Sequence, residues 1–403
     1  MRAPRNLSLL AALLVLLLAL AACGNDPEEG GEDAATEGGG DTATEEAADD
    51  GTEATDEATE AAGGAESDAL VDLETVCQED YADVEVPEGF SVGLVTDIGS
   101  VDDGTFNQYA YDGMVAAEEC FGITTDFIET SSEADYQRNL ETILESDPDV
   151  VITVGFLLGD ATLQFAEANP DVNFIGVDQF QEEYPDNYVG VLFREDQGGF
   201  LAGAMAGLLT ESGTVGVIGG LESVPAVVKF VNGFEAGAHH IDESINVLST
   251  FLTSFTDPAA GQSTAQQFLG EGADVIFGAG GQTGSGGIRA AAEAGAWAIG
   301  VDQDEYYTTF GGGSAPGADR LATSAIKRVD LGVFTQIAAA ITGDFAGGVH
   351  ELTAENNGIT YAPFHDADIP EDVAAQIEEI RAGLADGSID TGIDPATGEP
   401  LDH

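Results

Sequence analysis

The chain has 403 residues, with 10 Lys and Arg against 75 Asp and Glu, and a formal net charge of -65. That balance excludes nucleic-acid binding as a main role, because phosphates demand a basic footprint, and it disfavours anionic ligands such as free nucleotides. The length suffices for two lobes of ordinary domain size once an acidic terminal stretch is set aside. Self-repulsion on this scale is a lever of halophilic proteins, so an acidic protein from a salt-rich source is expected. Lysine is nearly absent: Lys229 and Lys327 are the only two, and both invite a question.

Residues 1–22 form a targeting segment, with Arg2 and Arg5 ahead of the apolar run Leu9–Leu20. Leu20-Ala21-Ala22-Cys23 followed by Gly24 resembles a bacterial lipobox, which places cleavage before Cys23 and diacylglycerol on its sulfur. Two acyl chains give stable anchoring where one does not. From Gly24 to about Ala69 the chain is almost entirely Gly, Ala, Thr, Glu and Asp, without a single Lys, Arg or aromatic residue. Such a segment buries too little apolar surface to offset ordering, and 23–69 reads as a lipidated, disordered acidic linker. Cys77 and Cys120 are the remaining cysteines; they are a candidate disulfide, with two free thiols as the alternative.

From about Phe90 strand and helix patterns alternate. Strands are expected at 90–96, 124–129, 150–154, 173–177, 214–218, 246–251, 273–277, 297–301 and 320–324. Helices fall at 106–120, 134–145, 161–168, 197–209, 225–238, 258–269, 287–294, 329–342 and 371–384. The helix at 197–209 carries an unusual number of small residues. This order predicts an α/β fold of two doubly wound parallel-sheet lobes with a ligand cleft between them. The expected division is a two-lobed domain over 70–403. Its first lobe is about 88–192 plus 320–345, and its second about 193–319 plus 346–385.

Ligands in such sheets sit beyond the C-terminal ends of strands. Five post-strand loops carry polar groups: Asp97 to Asn107, Gly155 to Asp160, Asp178, Gly278 to Gly287, and Asp302 to Tyr306. The first supplies Asp97, Asp102 and Asp103, with Phe106 as a ring and Asn107 as an amide. Gly278 onward resembles a dinucleotide fingerprint, but the third glycine falls at 283, where Thr283 stands. Lys327 is expected to pair with Asp302 or Asp97 and to donate to a ligand hydroxyl. No catalytic signature is present, and the histidines, His239-His240 and His403 among them, stand at no metal spacing. No cofactor, metal or nucleic acid is expected.

Several runs together are similar to the basic membrane protein family of ABC-transporter substrate-binding lipoproteins, the purine nucleoside receptors. They are VTDIGSVDDGTFNQYAYDG (95–113), Gly155-Phe156-Leu157 before Asn169-Pro170-Asp171-Val172, and Gly219-Gly220 with Gly233-Phe234-Glu235-Ala236-Gly237. GADVIFGAGGQTGSG (272–286), GVDQD (300–304) and the Thr323–Lys327 stretch complete the set. The resemblance covers roughly residues 90–385 and implies a type I periplasmic-binding-protein fold. It implies Phe106 and Phe277 sandwiching a purine, with Asn107 and Asp178 reading its edges. Asp97, Asp302 and Lys327 would hold the ribose hydroxyls, with Gly280 and Gly281 passing close to the ligand and Asp102 in the same loop. Departures are Gly104, where the family commonly has lysine, and Gln282 in its glycine turn. The resemblance thus implies a monomeric, lipid-anchored extracellular or periplasmic receptor that hands a nucleoside to an ABC permease and is no enzyme. A sugar or polyol receptor of the same fold, and a nucleoside hydrolase, are the alternatives.

Overall fold

The computed structural model describes residues 70–401. The expected targeting segment over 1–22, Cys23 and the acidic stretch to residue 69 lie outside the described residues. No helix among the described residues is long and apolar enough to cross a membrane.

After α1 (Leu73–Asp80) the first lobe is laid down as β1 (Ser91–Ile98), α2 (Phe106–Phe121), β2 (Thr124–Thr130), α3 (Tyr136–Leu144), β3 (Val150–Val154), α4 (Gly159–Ala168), β4 (Asn173–Val177) and β5 (Tyr188–Phe193). The second follows as α5 (Glu195–Leu209), β6 (Thr214–Gly219), α6 (Pro225–Ile241), β7 (Asn246–Phe251), α7 (Pro258–Gly270), β8 (Val275–Ala279), α8 (Gly281–Glu293), β9 (Trp297–Asp302), the short α9 (Glu305–Thr308) and β10 (Leu321–Lys327). The chain ends with α10 (Val329–Thr342), β11 (Gly348–Leu352), β12 (Ile359–Tyr361) and α11 (Glu371–Ala385). Central strands such as β3, VVITV, are wholly buried and apolar apart from Thr153, as a parallel sheet covered on both faces requires.

The strands form two six-stranded sheets, ordered β11-β5-β4-β3-β1-β2 and β12-β10-β9-β8-β6-β7. All pairings are parallel except β10 with β12. The chain therefore changes lobe three times: from β5 into α5, from β10 into α10, and from β11 to β12. This corrects the expected boundaries. Residues 321–327 pair with β9 in the second sheet, and residues 348–352 pair with β5 in the first. Apolar periodicity says that a strand exists, not which sheet it joins.

The two sheets repeat one another in strand order and differ at one edge, where β11 runs parallel to β5 but β12 runs antiparallel to β10. Ile175-Gly176-Val177-Asp178-Gln179 closes β4, and Ile299-Gly300-Val301-Asp302-Gln303 closes β9 at the same place in the sheet order. Both aspartates adopt left-handed backbone, with φ of 60° at Asp178 and 66° at Asp302. Aspartate is among the few non-glycine residues that tolerate this region. At the first two crossings an arginine precedes the helix and grips the aspartate two residues on. Arg194 holds Asp196 through two bonds of 2.8 Å, and Arg328 holds Asp330 at 2.9 and 3.0 Å.

The small residues of α5 let it lie against α6 almost backbone to backbone. A Cβ at Gly199 would run into the Phe230 carbonyl, and one at Gly203 into that of Phe234. That close approach seats Phe230 at the cleft.

Cys77 on α1 and Cys120 on α2 are joined as a disulfide, Cα to Cα 5.9 Å, closing a separation of 43 residues. Loop-closure entropy for that separation is worth about 4 kcal/mol at most. Urea unfolding of the purified protein with and without reductant should therefore show a loss of about 2–4 kcal/mol on reduction, and coincident curves would contradict it.

Candidate ligand-binding site

The C-terminal ends of β1, β3, β4, β8, β9 and β10 face one another across the lobes and line a partly open cavity. Strand ends of this kind are where small-molecule sites form. Asp97, Phe106, Asn107, Asp178, Gly280, Gly281, Asp302 and Lys327 all line it, so eight of the ten residues singled out from sequence converge.

Lys327 ends β10 and is 1 % exposed. Its Nζ lies 2.6 Å from Asp178 Oδ2 and 2.9 Å from Glu195 Oε1, and it sits 4.9 and 4.8 Å from the ring centres of Phe106 and Phe193. Glu195, the first residue of α5, is 1 % exposed and takes a second ammonium, Lys229 Nζ, at 2.5 Å. Lys229 also donates to the Phe193 carbonyl at 3.0 Å. Both lysines of this chain thus meet on one buried carboxylate. Burial works against Glu195 ionising, but Lys229 and Lys327 outweigh it and hold its carboxyl well below the usual range. Burial likewise disfavours the Lys327 ammonium, and Asp178, Glu195 and Asp302 overcome that to keep it charged.

The other carboxylates are different. Burial pushes Asp302 up to about 7 despite the attraction of Lys327, and Asp178 up to about 6. Asp178 Oδ1 is buried without any hydrogen-bond partner among the described residues. Asp97 is raised to about 6, again by burial, although the Tyr136 hydroxyl donates to its Oδ1 at 2.5 Å. Asp97 also fits beneath Gly155 (φ 99°), where any Cβ would strike its carboxylate. Asn107 Oδ1 accepts from the Asp97 backbone N–H at 2.9 Å, and its Nδ2 donates to Asp103 at 2.9 Å. The amide therefore ties strand end to helix start, leaving one N–H for a ligand. Asp103 in turn accepts from the backbone of Thr105, Asn107 and Gln108, capping α2.

The family model for the PnrA-like ABC transporter substrate-binding proteins, Bmp, matches residues 90–379. The chain belongs to the Bmp family. It is 32 % identical over 320 residues to the CD4+ T-cell-stimulating antigen of Listeria monocytogenes, covering 74 % of this chain and 87 % of that protein. It is 34 % identical over 270 residues to Basic membrane protein A of Borreliella burgdorferi, 66 % and 75 % of the two chains. An ABC-transporter solute-binding protein from Aeropyrum pernix K1 superposes with a TM-score of 0.67 at 24 % identity, covering 78 % of this chain and 94 % of that one. The fold is accordingly that of type I periplasmic binding proteins. Membership in a substrate-binding family of ABC transporters implies a small-molecule ligand, a permease partner and an extracytoplasmic location.

Three expectations for this Bmp protein need correction. Phe277 is not at the cleft. It lies mid-strand in β8, is 0 % exposed and stacks on Phe234 at 5.5 Å. Side chains in the middle of a strand face the helices, and residues at its C-terminal end and just beyond reach the cleft. The rings that do line the cavity with Phe106 are Phe156, Phe230 and Phe255, and Phe230 packs edge-on against Phe277 behind it. Asp102 points outward, held by the Ser100 hydroxyl at 2.6 Å, and Asp103 is the neighbour that lines the cavity. Lys327 pairs with Asp178 and Glu195 rather than Asp302 or Asp97, because β10 runs on to residue 327 and delivers the ammonium to the crossing.

The cleft mouth of this Bmp protein is latched. Gln303 Nε2 donates to the Thr105 carbonyl at 2.9 Å, and Thr308 Oγ1 donates to the Gly104 carbonyl at 2.7 Å. Both bonds join the second lobe to the first across the ligand cavity. Two such bonds are worth roughly 2 kcal/mol together. Gln303→Leu with Thr308→Val should therefore shift small-angle scattering towards a more open particle, and an unchanged profile would contradict the latch.

Proposed function

We propose that this protein is a lipid-anchored, extracellular receptor that captures a nucleoside, with purines preferred, and delivers it to an ABC permease. The observation that carries the reading is the chemistry of the cavity. Asp97, Asp178 and Asp302 present acceptors at three strand ends, and Phe106 and Phe230 offer aromatic surface. Buried carboxylates without enough protein donors want a ligand rich in O–H and N–H groups and free of negative charge. The rings want a flat group to stack on. A nucleoside supplies both, with its ribose hydroxyls towards Asp97 and Asp302 and a donor on its base towards Asp178 Oδ1. Lys327, already paired, contributes by fixing Asp178. The lipid on Cys23 and the acidic 23–69 linker would hold this domain off the membrane near its permease. A sugar would satisfy the carboxylates but leave the ring-lined part of the cavity less well filled.

Calorimetric titration with guanosine, adenosine, cytidine and ribose tests this. One-to-one binding of a purine nucleoside is expected, stronger than cytidine, with ribose alone weak and no free base released. The carboxylates accept most strongly, and through both oxygens, when ionised, so affinity should fall as the pH drops through 7, where Asp302 protonates, and further through 6, where Asp97 and Asp178 follow. Binding of ribose in preference to every nucleoside would overturn the reading, and liberation of base would turn it towards a hydrolase.

A further inference from the structure

The ligand cavity has a neighbour. A second compartment adjoins it through Phe156, Asp178 and Ala226, which line both. Its remaining walls are apolar at Phe180, Leu192 and Pro225 and charged only where Glu195 and Lys229 already satisfy each other. The far wall is Pro395 and Ala396, from a segment that follows α11. That segment lies beyond residues 90–379, which the Bmp family model matches.

The segment is a fixed strap. Thr391 Oγ1 donates to Asp196 at 2.6 Å, at the start of α5, and Asn232 of α6 donates to the Gly398 carbonyl at 2.7 Å. Ile393 is 4 % exposed, and the Leu401 N–H returns to the Gly392 carbonyl at 2.8 Å. Between these anchors Asp394 Oδ1 accepts from the N–H groups of Ala396 and Thr397, which shapes the tip. The strap is thus tied to the second lobe while its tip faces Phe180 and Leu192 of the first across the compartment.

We infer that the C-terminal strap is a specificity element: it closes the end of the ligand cleft beyond Asp178, making a compartment for an uncharged, apolar substituent on the ligand edge that donates to Asp178. This rests on the nucleoside reading and names the ligand class within it, a base whose exocyclic N–H carries an apolar group. The root N–H meets Asp178 Oδ1, which has no other partner. The apolar group then lies among Phe156, Phe180, Leu192 and the strap tip.

The test compares adenosine with N6-benzyladenosine on the full chain and on Ala396→Trp and Leu192→Trp, which fill the compartment from its two sides. The unaltered protein should bind the two ligands within about tenfold of each other. Each variant should lose N6-benzyladenosine by roughly tenfold or more while keeping adenosine within about threefold. Retained adenosine binding also reports an intact fold. Rejection of N6-benzyladenosine by the unaltered protein, or an equal effect of Ala396→Trp on both ligands, or no effect on either, overturns the strap's role. A loss confined to Leu192→Trp removes the strap while leaving the compartment. Failure of adenosine to bind an unaltered protein that binds guanosine overturns this inference and leaves the nucleoside reading, whereas failure of every nucleoside refutes both.

Discussion

One buried carboxylate bears the junction between the lobes. Glu195 opens the helix that carries the chain out of the first lobe, and it is gripped by Lys229 from α6 and Lys327 from β10. Lys327 then reaches Asp178 at the end of β4, so four segments from both sheets meet within a few ångströms. Each of these ions would be costly to bury alone, and breaking one such pair typically costs about 3–5 kcal/mol. The set is tolerable because its charges cancel, two ammonium groups against Glu195 and Asp178. A chain with 75 acidic residues and only two lysines has placed both of them here. They serve the cleft rather than the surface.

Around that junction the two lobes present matching edges. The repeated Ile-Gly-Val-Asp-Gln sequence brings Asp178 and Asp302 to the cleft in the same left-handed turn. The two glutamines that follow have diverged. Gln179 is buried within the first lobe, where its Nε2 holds the carbonyls of Thr153 and Gly155 and so shapes the loop that packs on Asp97. Gln303 crosses the mouth to Thr105. One half of the repeat sets the floor and the other closes the lid. The glycine contacts of α5 with α6 complete the arrangement, since a wider spacing would move Phe230 and Lys229 together away from the cavity and from Glu195.

Much of this was legible in the sequence. Apolar runs of four to six residues between helical patterns gave the α/β class, and polar residues just past those runs marked the cleft, because strand ends are where side chains escape the sheet. Asp97, Asp178 and Asp302 were found that way. Phe277 at the cleft is what the family resemblance alone implies, while its position inside β8 commits it to the core. Phe230 and Lys229 carry no local mark, since their role follows from how closely α6 approaches α5. Strand β5, Tyr188–Phe193, has a readable apolar run but leads across the lobes instead of into a helix above its own sheet. Strands β11 and β12 are short or mixed in character and become visible only through their partners.

The central claim is that the buried cation junction holds the two lobes and the cleft together. Unfolding of Lys327→Met in urea at neutral pH tests it most directly, because the substitution keeps the side-chain length and removes the charge that Asp178 and Glu195 share. A loss of about 3–5 kcal/mol relative to the parent is the expected result. A variant within about 1 kcal/mol of the parent would contradict the account, since a solvated ion pair contributes no more than that.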